Sequence, residues 1–120
     1  MARDALTPVN LPINAGTSGG AGVTINVTNG AVIPAGAMPR VILKVTNTYA
    51  GAKNVTIKAG VYPPAWRKDI GDLVVAIAQN ATHYFVLETA RFNQADGSIN
   101  IDYETGMTGT AWAFKLPVDL

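Results

Sequence analysis

Apolar and polar residues alternate with a period of two along most of this chain, the signature of half-buried strands. No segment shows a convincing helical period. Val23-Thr-Ile-Asn-Val-Thr28 predicts a first strand, and Asn29-Gly30 is a hairpin-turn signal. Ala31-Val-Ile33 predicts a short second strand, stopped by Pro34. In Arg40–Thr48, Val41, Leu43 and Val45 face one way. In Lys53–Ala59, Val55 and Ile57 point inward. Lys44 and Lys58 take outward positions, where charge discourages stray strand pairing. Leu73-Val-Val-Ala-Ile-Ala78 is apolar on both faces and predicts a central strand.

His83 to Pro117 then predicts three strands joined by two turn-rich connections, a meander. Ile99, Ile101 and Tyr103 share one face; Ser98, Asn100, Asp102 and Glu104 share the other. Trp112, Phe114 and Leu116 repeat the apolar alternation. The count of about eight short strands predicts an all-β fold. The favoured form is an antiparallel β-sandwich with jelly-roll topology. Two connections stand apart. Residues 1–22 carry Pro8, Pro12 and a Gly-rich run from Gly16 to Gly22, and read as an extended N-terminal arm before a sandwich domain at 23–120. Gly60–Asp72 is the longest loop, with two prolines, Tyr62, Trp66 and Arg67.

Composition narrows the function. The chain has 120 residues, one domain by length. There is no Cys, hence no disulfide framework and no thiolate chemistry. Charged residues make up 14% and net charge is +1, with no basic cluster for nucleic acid. Such weak charge suits close packing against neighbours. No signal-peptide run and no membrane-length apolar run is visible. The sequons at Asn26, Asn54 and Asn80 then reflect Thr- and Asn-rich strands.

Candidate chemistry is thin. His83 is the single histidine, and neither Ser18 nor Ser98 sits in a nucleophile-elbow sequence. Asp96 to Asp102 places oxygen ligands at every second residue, but a calcium loop needs Gly at its sixth position, where Ile101 stands. Gly16 to Gly22 lacks a phosphate-loop lysine and reads as a hinge. Asp69 and Asp72 read as turn formers. No catalytic, cofactor or metal residue emerges, and the chain reads as a binding protein, not an enzyme. Tyr62, Trp66 and Arg67 are the exposed-loop contact candidates. In the arm, Leu6, Val9, Leu11 and Ile13 are placed to dock on a neighbour, with Arg3 and Asp4 as charged contacts. The arm lying across its own sandwich is the alternative.

These runs resemble those of the small head decoration, or minor capsid, proteins of tailed double-stranded DNA bacteriophages. The resemblance rests on the opening Met1-Ala-Arg-Asp-Ala-Leu-Thr-Pro8, on Val45-Thr-Asn-Thr48, and on Val55-Thr-Ile-Lys-Ala-Gly60 leading to Pro63-Pro64. It continues through Gly71-Asp-Leu73, Glu88 to Gly97, and Gly106-Met-Thr-Gly-Thr110. It implies a β-sandwich on the outer capsid surface of the virion, made in the host cytoplasm. The expected partners are the major capsid protein and further copies of the chain, commonly in trimers, with no nucleic acid and no membrane. It implies a cement function, with an arm that clamps capsid subunits. On that reading, removing residues 1–22 leaves the domain folded and abolishes attachment. The alternative is a carbohydrate-binding module using Tyr62, Trp66 and Trp112, including contact with a host glycan from the capsid surface.

Overall fold

The computed structural model describes residues 3–11, 14–18, 20–34, 41–61, 68–87 and 89–115, with only the backbone at 68, 89 and 90. It is all-β. Among the described residues ten strands run in order: β1 (Asp4–Ala5), β2 (Val9–Asn10), β3 (Val23–Thr24), β4 (Ala31–Ile33), β5 (Val41–Asn47), β6 (Lys53–Ile57), β7 (Leu73–Ile77), β8 (Thr82–Val86), β9 (Ile99–Tyr103) and β10 (Gly109–Lys115). Single helical turns occur at Lys68–Ile70 and Thr89–Phe92. Sheet I has the order β1-β4-β9-β6-β7, and sheet II the order β2-β10-β5-β8. β3 also pairs with β10, and since β5 holds the other edge of β10, β2 and β3 share its remaining edge.

The two sheets enclose one core, and the strand alternation explains most of it. Val41, Leu43, Val45, Val55, Ile57, Ile99 and Ile101 are fully buried, as the period of two predicts. On β10 the outcome is reversed. Ala111 and Ala113 face the core, while Trp112 and Phe114 lie outside, half-buried. Alternation fixes which residues share a face, not which face is inside. Ala-Trp-Ala-Phe is apolar on both, and the small alanines fit the centre of the packed layer. Leu116 lies outside the described residues.

Several connections differ from expectation. The strands of His83–Pro117 are not a meander: β8 and β10 lie in sheet II, and β9 between them lies in sheet I. Leu87 and Phe92, both buried, plug the crossover. Asn29-Gly30 does not close a hairpin, because β3 and β4 belong to different sheets. Asn26 Oδ1 accepts hydrogen bonds from the Thr28 and Asn29 N–H groups, ending the strand early and turning the chain across the sandwich. β7 is an edge strand, paired only with β6 among the described residues. Lys44 sits on the second-innermost strand of sheet II, and Lys58 beside β6 forms an ion pair with Asp72, so neither guards an edge.

The arm is the largest departure. Arg3 to Leu11 is part of the sandwich. β1 adds in parallel to β4, and β2 adds in parallel to β10, so the sheets are mixed and not purely antiparallel. Leu6, between them, is 1% exposed and packs in the core. The arm therefore closes one open side of the sandwich by joining an edge of each sheet. Its backbone groups are satisfied in the same way: Leu6 N–H donates to the Val32 carbonyl at 2.8 Å, and Leu11 N–H to that of Lys115 at 2.9 Å.

Asn47 ties the opposite end. It is a fully buried polar residue in a run that alternates outward threonines with inward apolar residues. Its Nδ2 donates to the carbonyls of Gly51 (2.9 Å) and Ile77 (2.8 Å), and its Oδ1 accepts from Tyr49 N–H at 2.9 Å. Its backbone binds Asn80 and Ala81. One side chain thus holds the β5–β6 turn and the end of β7, while its backbone holds the β7–β8 turn.

Candidate interaction surface

The two outer faces differ in charge. On sheet I, Asn54, Thr56, Asn100 and Asp102 project outward with Val32, Val74 and Ala76 beside them, flanked by Lys58 and Glu104. Their charges are paired within the chain. Arg3 Nη1 donates to Asp102 at 2.6 Å and to the Ile101 carbonyl at 2.8 Å. Glu104 accepts from Asn54 N–H, and this hydrogen bond chiefly holds its carboxyl below the usual range, with Lys53 assisting. Asp72 is lowered by Ala59 N–H and then by Lys58, whose ammonium is raised in turn by its bond to Asp72. Asp4 accepts from Asn29 Nδ2. Burial, and secondly the charge of Asp4, push the Tyr103 phenol well above its usual range.

Sheet II presents three rows across its strands, set by register. Val9, Phe114, Ile42 and Val86 are mutual neighbours on β2, β10, β5 and β8. Trp112, Lys44 and Tyr84 form the second row, and Thr24, Thr110, Thr46 and Thr82 the third. Adjacent strands are about 4.8 Å apart, so each full row spans roughly 15 Å. Lys44 Nζ stands 4.3 Å from the Trp112 ring centroid and 6.0 Å from that of Tyr84, placing one cation between two aromatics. Leu11, Ile42, Lys44, Tyr84 and Phe114 line a shallow groove of about 220 Å³. Val86 is 81% exposed and Tyr84 66%. A contiguous apolar row rimmed by threonine, with one cation, is the composition of a protein contact.

Compared with protein-family models, curated proteins and solved structures, the chain matches none.

Of the arm residues named from sequence, Val9 and Leu11 reach this surface. Leu6 is in the core, and Arg3 and Asp4 are engaged within the domain. Ile13, Tyr62, Trp66 and Arg67 lie outside the described residues. Trp112 is not an open stacking platform. Its Nε1 donates to the Gly20 carbonyl at 3.1 Å, Lys44 covers its ring, and Gly22 packs against the indole. A Cβ on Gly22 would stand 2.6 Å from the ring, and its φ is +75°. Gly22 and the Gly20 carbonyl thus cover part of Trp112. The serines and His83 do not form a triad. Ser18 Oγ accepts from Gly20 N–H, Ser98 Oγ donates to Asp96, and the His83 ring lies beside Phe85. The bonds from Ser98, side chain first, lower the Asp96 carboxyl. No cluster of three or more metal-ligating side chains occurs among the described residues.

Ile42, Phe114, Tyr84 and Val86 of this face are not singled out as contacts by the sequence reading. The available signal was a strand apolar at both parities, as in Tyr84-Phe-Val86 and Ala111-Trp-Ala-Phe114.

Proposed function

We propose that this chain is a capsid-surface protein of a tailed double-stranded DNA phage. It binds the outside of the shell, bridges capsid subunits and reinforces them, and it acts by contact without a reaction of its own. The observation that carries this reading is the outward apolar row Val9, Phe114, Ile42 and Val86, half-buried except for the exposed Val86, on one outer face, opposite a face whose charges are paired within the chain. A protein with an apolar row on one face and internally paired charges on the other suits a position on a surface with its charged side in solvent. Many copies multiply a modest contact into a firm hold. The winding supports the reading too. Leaving β1 and β2 aside, we read the rows β3-β10-β5-β8 and β4-β9-β6-β7, in which each successive strand changes sheet except β6 to β7, as the winding expected of a jelly roll. The partners are the major capsid protein and further copies of the chain. Of the residues named for glycan binding, Trp112 is already covered, and Tyr62 and Trp66 lie outside the described residues.

Co-sedimentation with heads of the same phage that lack this protein tests the proposal. The wild-type chain is expected to bind saturably. Leu11→Asp and Phe114→Ser should each weaken binding at least about tenfold, since hydrophobic anchors at the centre of a contact commonly contribute about 1.4 kcal/mol or more. Asn54→Asp, on the other sheet, should leave binding unchanged. Absence of binding by wild type sinks the reading.

A further inference from the structure

We propose that β8 is a self-pairing edge, through which two copies join antiparallel about a two-fold axis at Tyr84. The first ground is the direction of its backbone groups. Asn47 N–H donates to the Ala81 carbonyl, and hydrogen-bonded pairs alternate along an antiparallel ladder. His83 and Phe85 therefore bond to β5, while the N–H and C=O groups of Thr82, Tyr84 and Val86 point away from it. The 2.8 Å contact between the Thr46 and Thr82 hydroxyls fits this parity, because side chains approach closely at the intervening pairs. Among the described residues no strand pairs with that side of β8.

The second ground is that nothing in β8 opposes pairing. Natural edges are blunted by Lys, Pro or a covering segment. Thr82-His-Tyr-Phe-Val86 carries no Lys, Arg, Asp, Glu or Pro. A two-fold sets every residue against its own strand, so any charge near the axis would meet its like. Here Tyr84 meets Tyr84 of the second copy, and Thr82 meets Val86. Both are favourable cross-strand types. The free groups of Thr82, Tyr84 and Val86 then exchange hydrogen bonds with their counterparts in the same register.

The third ground is closure. A two-fold pairing uses the same edge, β8, on both copies and leaves neither β8 free, so the product is a closed pair and not a filament. It also brings together Tyr84 and Val86, the two most exposed large apolar side chains among the described residues. Five residues per copy bury on the order of 300 Å² each, below the roughly 800 Å² per partner of a stable interface. The pair therefore forms at high concentration, as on a crowded surface, and dissociates on dilution. The capsid reading is not needed for this inference, since the pairing is measured on the isolated chain.

Sedimentation velocity on the full chain, from about 10 µM to about 1 mM, is expected to show a monomer giving way to a dimer. Tyr84→Pro removes a free N–H without removing a bond to β5, a substitution that edge strands tolerate. Val86→Lys sets a charge beside the seam and leaves the backbone intact, a second variant should the proline impair folding. Each is expected to weaken dimerisation at least about tenfold, with the far-ultraviolet spectrum retained. Val74→Lys, on the outer face of β7, should leave it unchanged. A monomer at every concentration, a trimer, or a dimer indifferent to both β8 variants overturns the proposal. So does a chain that stays monomeric while its β8 becomes protected only on heads, which would assign the edge to a strand of the shell.

Discussion

Replacing Asn47 with Asp is expected to be the most damaging single substitution away from the apolar core. The Asn47 amide donates to two carbonyls, of Gly51 and Ile77, in a site with no solvent exposure. A carboxylate there offers oxygen to oxygen. It leaves both acceptors unpaired and places a charge where water cannot reach. Asn47→Ala is milder and still costs about 3 kcal/mol, because two carbonyls and the Tyr49 N–H lose a partner. For a domain of this size that corresponds to a fall of roughly 10 °C in Tm. The Asp variant should fall further, to the point of populating unfolded chain at room temperature when total stability lies near the lower end of about 5–15 kcal/mol. Thermal melts followed by circular dichroism check both. An Ala variant within about 1 kcal/mol of wild type would show that the knot at this end of the sandwich contributes little.

Leu6→Ala carries the second large effect. Leu6 lies far from the rest of the core in sequence and is fully packed within it. Truncating such a side chain costs about 2–5 kcal/mol, the spread depending on how far the site collapses. Deleting residues 1–11 should cost more, because β1 and β2 leave with it and two sheet edges are uncovered. Loss of the Arg3–Asp102 pair adds little, since both side chains are partly exposed and solvent screens the pair. The exposed Thr7 beside Leu6 provides the control, and Thr7→Ala should be nearly neutral. Urea midpoints measure the series. A truncated chain with the wild-type midpoint would restore the view of the arm as an appendage. Because the arm is a structural part of the domain, loss of head binding on truncation would not by itself identify it as the clamp.

The sequence was most informative where one parity was clearly apolar. Val41, Leu43 and Val45, Val55 and Ile57, and Ile99 and Ile101 were all legible as inward sets. Pairing partners were not. A period of two says which residues share a face, and nothing about which strand lies alongside. Hence β8 to β10 read as a meander although β9 belongs to the other sheet, and β7 read as central although it is an edge. Where both parities are apolar the inside face is ambiguous, and the bulkier residues of β10 proved to be the outer ones. Asn47 gave no signal, since one amide among Thr and Asn looks like any other. The candidate surface was half legible. Val9 and Leu11 stood out in a polar arm, whereas Ile42, Phe114, Tyr84 and Val86 were hidden among core residues of the same strands.

Hydroxyl-radical footprinting of the chain, free and bound to heads, tests most directly whether the outer face of sheet II meets the shell. Side-chain oxidation should fall on binding at Leu11, Ile42 and Phe114. It should be unchanged at Val32 and Val74 on the outer face of sheet I, where Val74 is 55% exposed. Protection of Val32 and Val74 with continued oxidation of Leu11, Ile42 and Phe114 would contradict the assignment.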